Sequence, residues 1–110
     1  ISNYSGETKR RVDIEISADY KASTKDVISA IKSVVDKDER IAKDGVYTPT
    51  IRLLRFNASD ITYAVRVWCE TPVYLDVYFD LMENVRESFN ENGIEFSYPQ
   101  RVVHIDSKNS

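Results

Sequence analysis

From Arg10 onward the chain alternates: Val12, Ile14 and Ile16 stand against Arg11, Asp13, Glu15 and Ser17. A period of two with one wet face predicts a half-buried strand from about Arg10. Ser23-Thr24-Lys25-Asp26 then places a hydroxyl at an N-cap with a carboxylate three residues on, a capping-box-like helix start. Behind it Val27, Ile28, Ile31, Val34 and Val35 recur at helical spacing, which predicts a helix over Thr24–Lys37. The charged stretch Asp36 to Gly45, with Ile41 its one large apolar residue, reads as a helix end and loop.

A second strand is predicted over Thr50–Phe56, with Ile51, Leu53 and Arg55 on one face, and a third over Ile61–Trp68. In the latter Ile61, Tyr63, Val65 and Val67 alternate with Thr62, Ala64, Arg66 and Trp68. Asn57-Ala58-Ser59-Asp60 between them is turn chemistry, so the two strands form a hairpin. Pro72 suits the first turn of a second helix, whose apolar stripe reads as Tyr74, Leu75, Tyr78, Leu81, Met82, Val85 and Phe89. Asn92-Gly93-Ile94 is a Schellman-type stop. Ile94-Glu95-Phe96 is a short extended piece, Tyr98-Pro99 a turn, and Arg101 to Asp106 a last alternating strand. The order β-α-β-β-α-β is that of an α+β, ferredoxin-like sandwich with both helices on one face of the sheet.

Composition narrows the class. At 110 residues the chain is one domain, able to bury roughly 65% of its unfolded surface without metal or disulfide help. The net charge of −3 offers nothing to a phosphate-rich partner, and the lone Cys allows no internal disulfide. No apolar run approaches the ~20 residues that cross a bilayer. The missing initial Met and the short polar start at Ile1–Gly6 suit a processed chain or an excised piece.

Candidate chemistry is sparse. Cys69 and His104 are the only thiol and imidazole; no spacing supports them as a nucleophile and base, and two such ligands fall short of a zinc site. Asp36, Asp38 and Glu39 approach a calcium loop, but Arg40 and Ile41 occupy positions that need other residues. Asp13 and Glu15 lie beside Arg10 and Arg11 and read as a surface charge cluster. Gly6, Gly45 and Gly93 stand alone, so no phosphate-binding loop exists. These residues imply no enzyme and no cofactor. An RNA-recognition module shares the topology, yet the third strand lacks the Gly of its signature, and the acidic balance argues against nucleic acid as a partner. A soluble small-ligand-sensing module of ferredoxin-like fold is the alternative reading, because such domains bind through loop backbone that leaves little trace in one sequence.

Certain strings go further. Arg10-Arg11-Val12-Asp13, Asp38-Glu39-Arg40-Ile41, Val65-Arg66-Val67-Trp68, Val77-Tyr78-Phe79-Asp80-Leu81, Asn92-Gly93-Ile94 and Tyr98-Pro99-Gln100 occur in this order. Together they resemble the cytoplasmic carboxyl-terminal domain of MscS-type mechanosensitive channels, from Ile1 to about Asp106. Two positions depart from the family pattern: Ser97 stands where a proline is common, and Asn57-Ala58 where the hairpin carries a glycine. The resemblance implies that residues 1–8 end a middle β-domain, that residues 9–98 form the α/β domain, and that residues 99–110 carry a strand joining an oligomeric β-barrel. It implies a vestibule, or cage, on the cytoplasmic side of the bacterial inner membrane. The parent chain would span that membrane as a homoheptamer, opening under tension to release ions and small osmolytes in hypo-osmotic shock. Tyr98, Pro99, Gln100, Arg101, Val103 and Ile105 are the oligomerisation residues it implies. Trp68 and Phe79 carry large apolar surface, and truncating either is expected to cost ~3–5 kcal/mol if it is buried.

Overall fold

The computed structural model describes residues 8–96. Strand β1 runs Lys9–Asp19, helix α1 Thr24–Lys37, strand β2 Thr50–Phe56, strand β3 Asp60–Glu70 and helix α2 Tyr74–Glu91. Short 3-10 turns at Gly45–Tyr47 and Thr71–Val73 lead into β2 and α2. The sheet order is β1-β3-β2, antiparallel throughout, and both helices pack against its apolar side. The result is a mixed α/β domain, as the β-α-β-β-α order implies.

Each boundary has a local cause. The Ser23 Oγ accepts a hydrogen bond from the Asp26 backbone N–H at 3.1 Å, capping α1 as the hydroxyl spacing predicts. Gly93 adopts φ +69°; the Ile94 N–H reaches Phe89 O at 2.8 Å and the Gly93 N–H reaches Asn90 O at 3.3 Å. This pair of bonds is the Schellman motif, and Ile94 beyond it is buried. In the hairpin the Asn57 side-chain amide donates to Asp60 Oδ1 at 2.6 Å and to Thr62 Oγ1 at 2.8 Å, so Asn57 holds the turn without a glycine.

The core lies between sheet and helices. Val12, Ile14, Ile16 and Ala18 of β1 and Ile61, Tyr63, Val65, Val67 and Cys69 of β3 face Val27, Ile31 and Val35 of α1 and Val77, Leu81, Val85 and Phe89 of α2. Polar groups inside are paired. The Tyr63 hydroxyl lies 3.1 Å from Thr24 Oγ1, and buried Ser88 donates to Ala30 O at 2.9 Å, tying α2 to α1 where small side chains let them approach.

Three expectations need correction. The apolar stripe of α2 is rotated: Val77 is fully buried, whereas Leu75 and Met82 face outward. Apolar residues cover too wide an arc of this helix for spacing alone to choose, and the Ser88–Ala30 contact selects the arc through Val77, Leu81 and Val85. Arg55 does not share a face with Ile51 and Leu53. A register shift between Leu53 and Arg55 inserts Leu54 and turns Arg55 onto the wet face, where it meets Glu15 at 3.2 Å. Phe79 is 55% exposed, so its truncation does not carry the cost of a core deletion; Trp68 is half-buried. The short extended piece Ile94-Glu95-Phe96 makes one antiparallel bridge, Ala18↔Phe96, and one bond, Asp19 N–H to Glu95 O at 3.0 Å. That bridge sits on the outer edge of β1, the fourth-strand position of a ferredoxin-like sheet. The Phe96 ring stacks on Phe89, centroids 4.6 Å apart. The predicted strand Arg101–Asp106 lies outside the described residues.

Phe89→Ala is expected to lower unfolding free energy by about 3–5 kcal/mol, because Phe89 is fully buried. Leu75→Ala is expected to stay within about 0.5 kcal/mol of the parent. Urea unfolding of both variants measures the contrast.

Candidate functional surface

The oligomerisation residues implied by the sequence, Tyr98, Pro99, Gln100, Arg101, Val103 and Ile105, all lie outside the described residues, as does His104. The structure instead joins several of the strings that carried the resemblance. After α1 the chain turns at Asp38, and the Arg40 backbone N–H donates to Asp38 Oδ1 at 3.0 Å. The Arg40 guanidinium grips the same carboxylate through Nε at 2.9 Å and Nη2 at 2.7 Å. Its Nη2 also reaches Asp80 of α2 at 3.0 Å. One arginine thus clamps the α1 exit loop to α2 through a bidentate pair, the stronger geometry for a guanidinium.

The loop is fastened on its other side as well. The Ala42 N–H donates to Trp68 O at 2.9 Å, Ile41 bridges Cys69, and Lys43 Nζ donates to Asp38 O at 2.9 Å and Ile41 O at 3.0 Å. Ile41 and Cys69 are buried. Spacing alone reads this stretch as charged loop, because one apolar residue sets no period. Ile41 is nonetheless part of the core.

At the same end of the sheet the chain entering β1 is held down. The Thr71 N–H and hydroxyl both donate to Thr8 O, at 2.6 and 2.8 Å. Lys9 pairs with Glu70 at 2.8 Å and lies over the Tyr47 ring, and Tyr47 packs edge-on to Trp68 with centroids 5.2 Å apart. The Arg10 guanidinium sits 3.9 Å above the Tyr74 ring, within cation–π range. The entry to β1, the exit of β3 and the start of α2 therefore form one connected junction.

Electrostatics follow contact. The hydrogen bonds from Arg40 hold the Asp38 carboxyl below the usual carboxylate range against the opposing effect of burial, and those carboxylates push Arg40 up. Lys9 is raised and Glu70 lowered by their mutual hydrogen bond. Burial pushes the Cys69 thiol up, the opposite of what a nucleophilic cysteine needs. Asp13 is engaged by its neighbour Arg11 at 2.8 Å and Glu15 by Arg55 of β2 rather than by Arg10, so the two carboxylates serve surface ion pairs. Among the described residues no cluster of three or more His, Cys, Asp or Glu is placed to hold a metal. No helix among them is long and apolar enough to cross a membrane. These contacts join elements rather than frame a reactive centre.

Comparison with known proteins gives this junction its context. The family description "Mechanosensitive ion channel MscS, C-terminal" matches residues 12–96. A small-conductance mechanosensitive channel of Edwardsiella ictaluri is 42% identical over 106 residues, covering 96% of this chain and 36% of that protein. An uncharacterized MscS family protein of Buchnera aphidicola subsp. Schizaphis graminum is 34% identical over 109 residues, covering 99% of this chain and 38% of that protein. Among solved structures, Helicobacter pylori MscS in its closed state superposes with a TM-score of 0.76 at 25% identity, covering 94% of this chain and 40% of that one. Arabidopsis thaliana MSL1 A320V shares the fold, with a TM-score of 0.71 at 10% identity, covering 84% of this chain and 36% of that one. The chain belongs to the MscS family of mechanosensitive ion channels, within which residues 12–96 are the C-terminal domain. It spans little more than a third of the length of the curated relatives it matches. Those relatives are named as channels or channel-family proteins, not as enzymes.

Arg40→Gln is expected to cost about 1–2 kcal/mol at pH 7, the range for hydrogen bonds to a charged group that is partly solvated. Because Asp38 is lowered in the folded chain, its contribution is present above the unfolded carboxylate value and is lost as pH falls below about 4. Urea unfolding at pH 7 and pH 3 should show the gap between parent and variant narrowing at the lower pH. An equal gap at both would show that the ion pair is not its source.

Proposed function

We propose that this chain is the cytoplasmic vestibule domain of a homoheptameric mechanosensitive channel in the bacterial inner membrane. The channel opens when membrane tension rises in hypo-osmotic shock and releases ions and small osmolytes. The observation that carries this reading is the family match over residues 12–96, supported by the fold shared with Helicobacter pylori MscS. Residues 1–8 close the preceding β-domain, residues 9–98 form the α/β domain, and residues 99–110 supply the strand that joins copies from the other subunits. Tyr98, Pro99, Gln100, Arg101, Val103 and Ile105 are its oligomerisation residues.

The physics of strands supports that division. Alternation over Arg101–Asp106 predicts a strand, and a lone strand leaves a row of unpaired backbone donors and acceptors that closure of a ring removes. The vestibule's work is assembly and solute passage, with no catalytic step and no cofactor. A domain for that task needs rigid junctions, which the Arg40 clamp and the Thr8–Thr71 strap supply.

Reading the parent gene upstream of Ile1 is the direct test. Several apolar spans of ~20 residues are expected there; a start codon close to Ile1 without them would sink the channel reading. Deleting Arg101–Asp106 is expected to lower the assembled mass by light scattering while the circular dichroism of the α/β domain is retained. An unchanged mass would remove the barrel strand from the account.

A further inference from the structure

Strand β1 lies at one edge of the sheet. Among the described residues its outer backbone pairs only with the piece after α2, through the Ala18↔Phe96 bridge and the bond from Asp19 N–H to Glu95 O at 3.0 Å. Successive residues of an antiparallel strand turn their backbone groups to opposite edges. The outward Asp19 N–H therefore places Ser17, Glu15, Asp13 and Arg11 on the outer edge too. The other side agrees: the Thr71 N–H bonds Thr8 O at 2.6 Å, which gives the even-numbered residues of β1 to β3. An open edge of this kind is a template for a further strand. A groove lined by Ile16, Met82, Val85, Ile94 and Phe96 lies open alongside it, between β1 and α2.

The chain itself supplies a strand for that edge, since Arg101 to Asp106 alternates and follows Phe96 closely. The antiparallel bridge fixes the register such a strand would take. Continued past Phe96, it sets Ser97 opposite Ser17, Pro99 opposite Glu15, Arg101 opposite Asp13 and Val103 opposite Arg11. These are the positions at which the added strand must offer an N–H to the outer edge of β1. Ser97, Arg101 and Val103 carry one, and Pro99 does not. The Glu15 carbonyl would lose its donor, and the pyrrolidine ring would stand where the bond should form. Side-chain parity points the same way. The Phe96 ring lies on the helix side, stacked on Phe89, so in this register Val103 and Ile105 would fall on the opposite, wet face of the sheet with Arg11 and Asp13.

We infer that Pro99 is a ladder break: it stops the chain after Phe96 from completing its own sheet along β1 and so keeps Arg101–Asp106 available for strands of other copies. Two seats compete for that segment, the outer edge of β1 in the same chain and the barrel between chains. A strand held along β1 cannot also present both of its edges to neighbouring copies. Pro99 removes the first seat and is in this sense a positioning residue. The break follows from the geometry of β1; only the use made of the released strand rests on the channel reading.

Amide hydrogen exchange of the 110-residue chain, read residue by residue by NMR, tests the break. In the parent the Arg11 and Asp13 amides are expected to exchange as an open edge, while those of Val12 and Ile14, turned towards β3, stay protected. In Pro99→Ala the Arg11, Asp13 and Glu15 amides are expected to slow by at least about tenfold, and the assembled mass by light scattering to fall. Combining Pro99→Ala with Arg101→Pro moves the break to the Asp13 position, so the slowing is expected to persist at Glu15 and to vanish at Arg11. A merely looser turn in Pro99→Ala would lower the mass without slowing these amides, and that result overturns the inference. So would a parent already protected at Arg11 and Asp13, or a double variant still protected at Arg11. Slowed exchange with an unchanged mass would sink the competition with assembly. A parent that remains a single copy at every concentration would count against the barrel strand of the channel reading, while the exchange pattern still decides the break.

Discussion

Strand β3 is the constraint on which the rest of the domain depends. It pairs along nearly its whole length with β1 on one edge and with β2 on the other. Its inward side chains from Ile61 to Cys69 form the floor under both helices, and its far end receives the loop at Ile41 and Ala42. A central strand must satisfy its backbone on both sides, so its register dictates where every neighbour lies. Even its second face is partly enclosed. Thr62 is buried and bonded to Ser17 at 2.9 Å and to Asn57, so a polar row crosses the sheet beneath the hairpin turn.

Around that strand the domain is closed at one end by charge and at the other by packing. Near the exit of β3, Arg40, Lys9 and Arg10 each join two segments distant in sequence, by carboxylate or by ring. Near the start of β3, the Schellman turn at Gly93 directs Ile94 and Phe96 onto Phe89 and Ala18. The first end resists relative movement of loop and helix because the guanidinium geometry is directional. The second resists it because stacked aromatic rings leave no room to shift.

Much of the architecture was legible in the chain itself. The alternation of β1 and β3, the Ser23 cap, the Asn57–Asp60 turn and the Gly93 stop are local signals, each set by backbone sterics or by hydrogen bonds within a few residues, and they place the elements correctly. The ordered strings from Arg10 to Gln100 were enough to point to the family. Tertiary structure decided what local rules leave degenerate. Apolar residues around α2 fit two arcs, and only the fit of Ser88 against Ala30 chose the one through Val77. The bulge at Leu54 follows from matching β2 to β3, and the role of Arg40 depends on bringing Asp80 from 40 residues along the chain. Interactions between residues near in sequence are written in their spacing. Those between distant residues exist only once the sheet has set the distances.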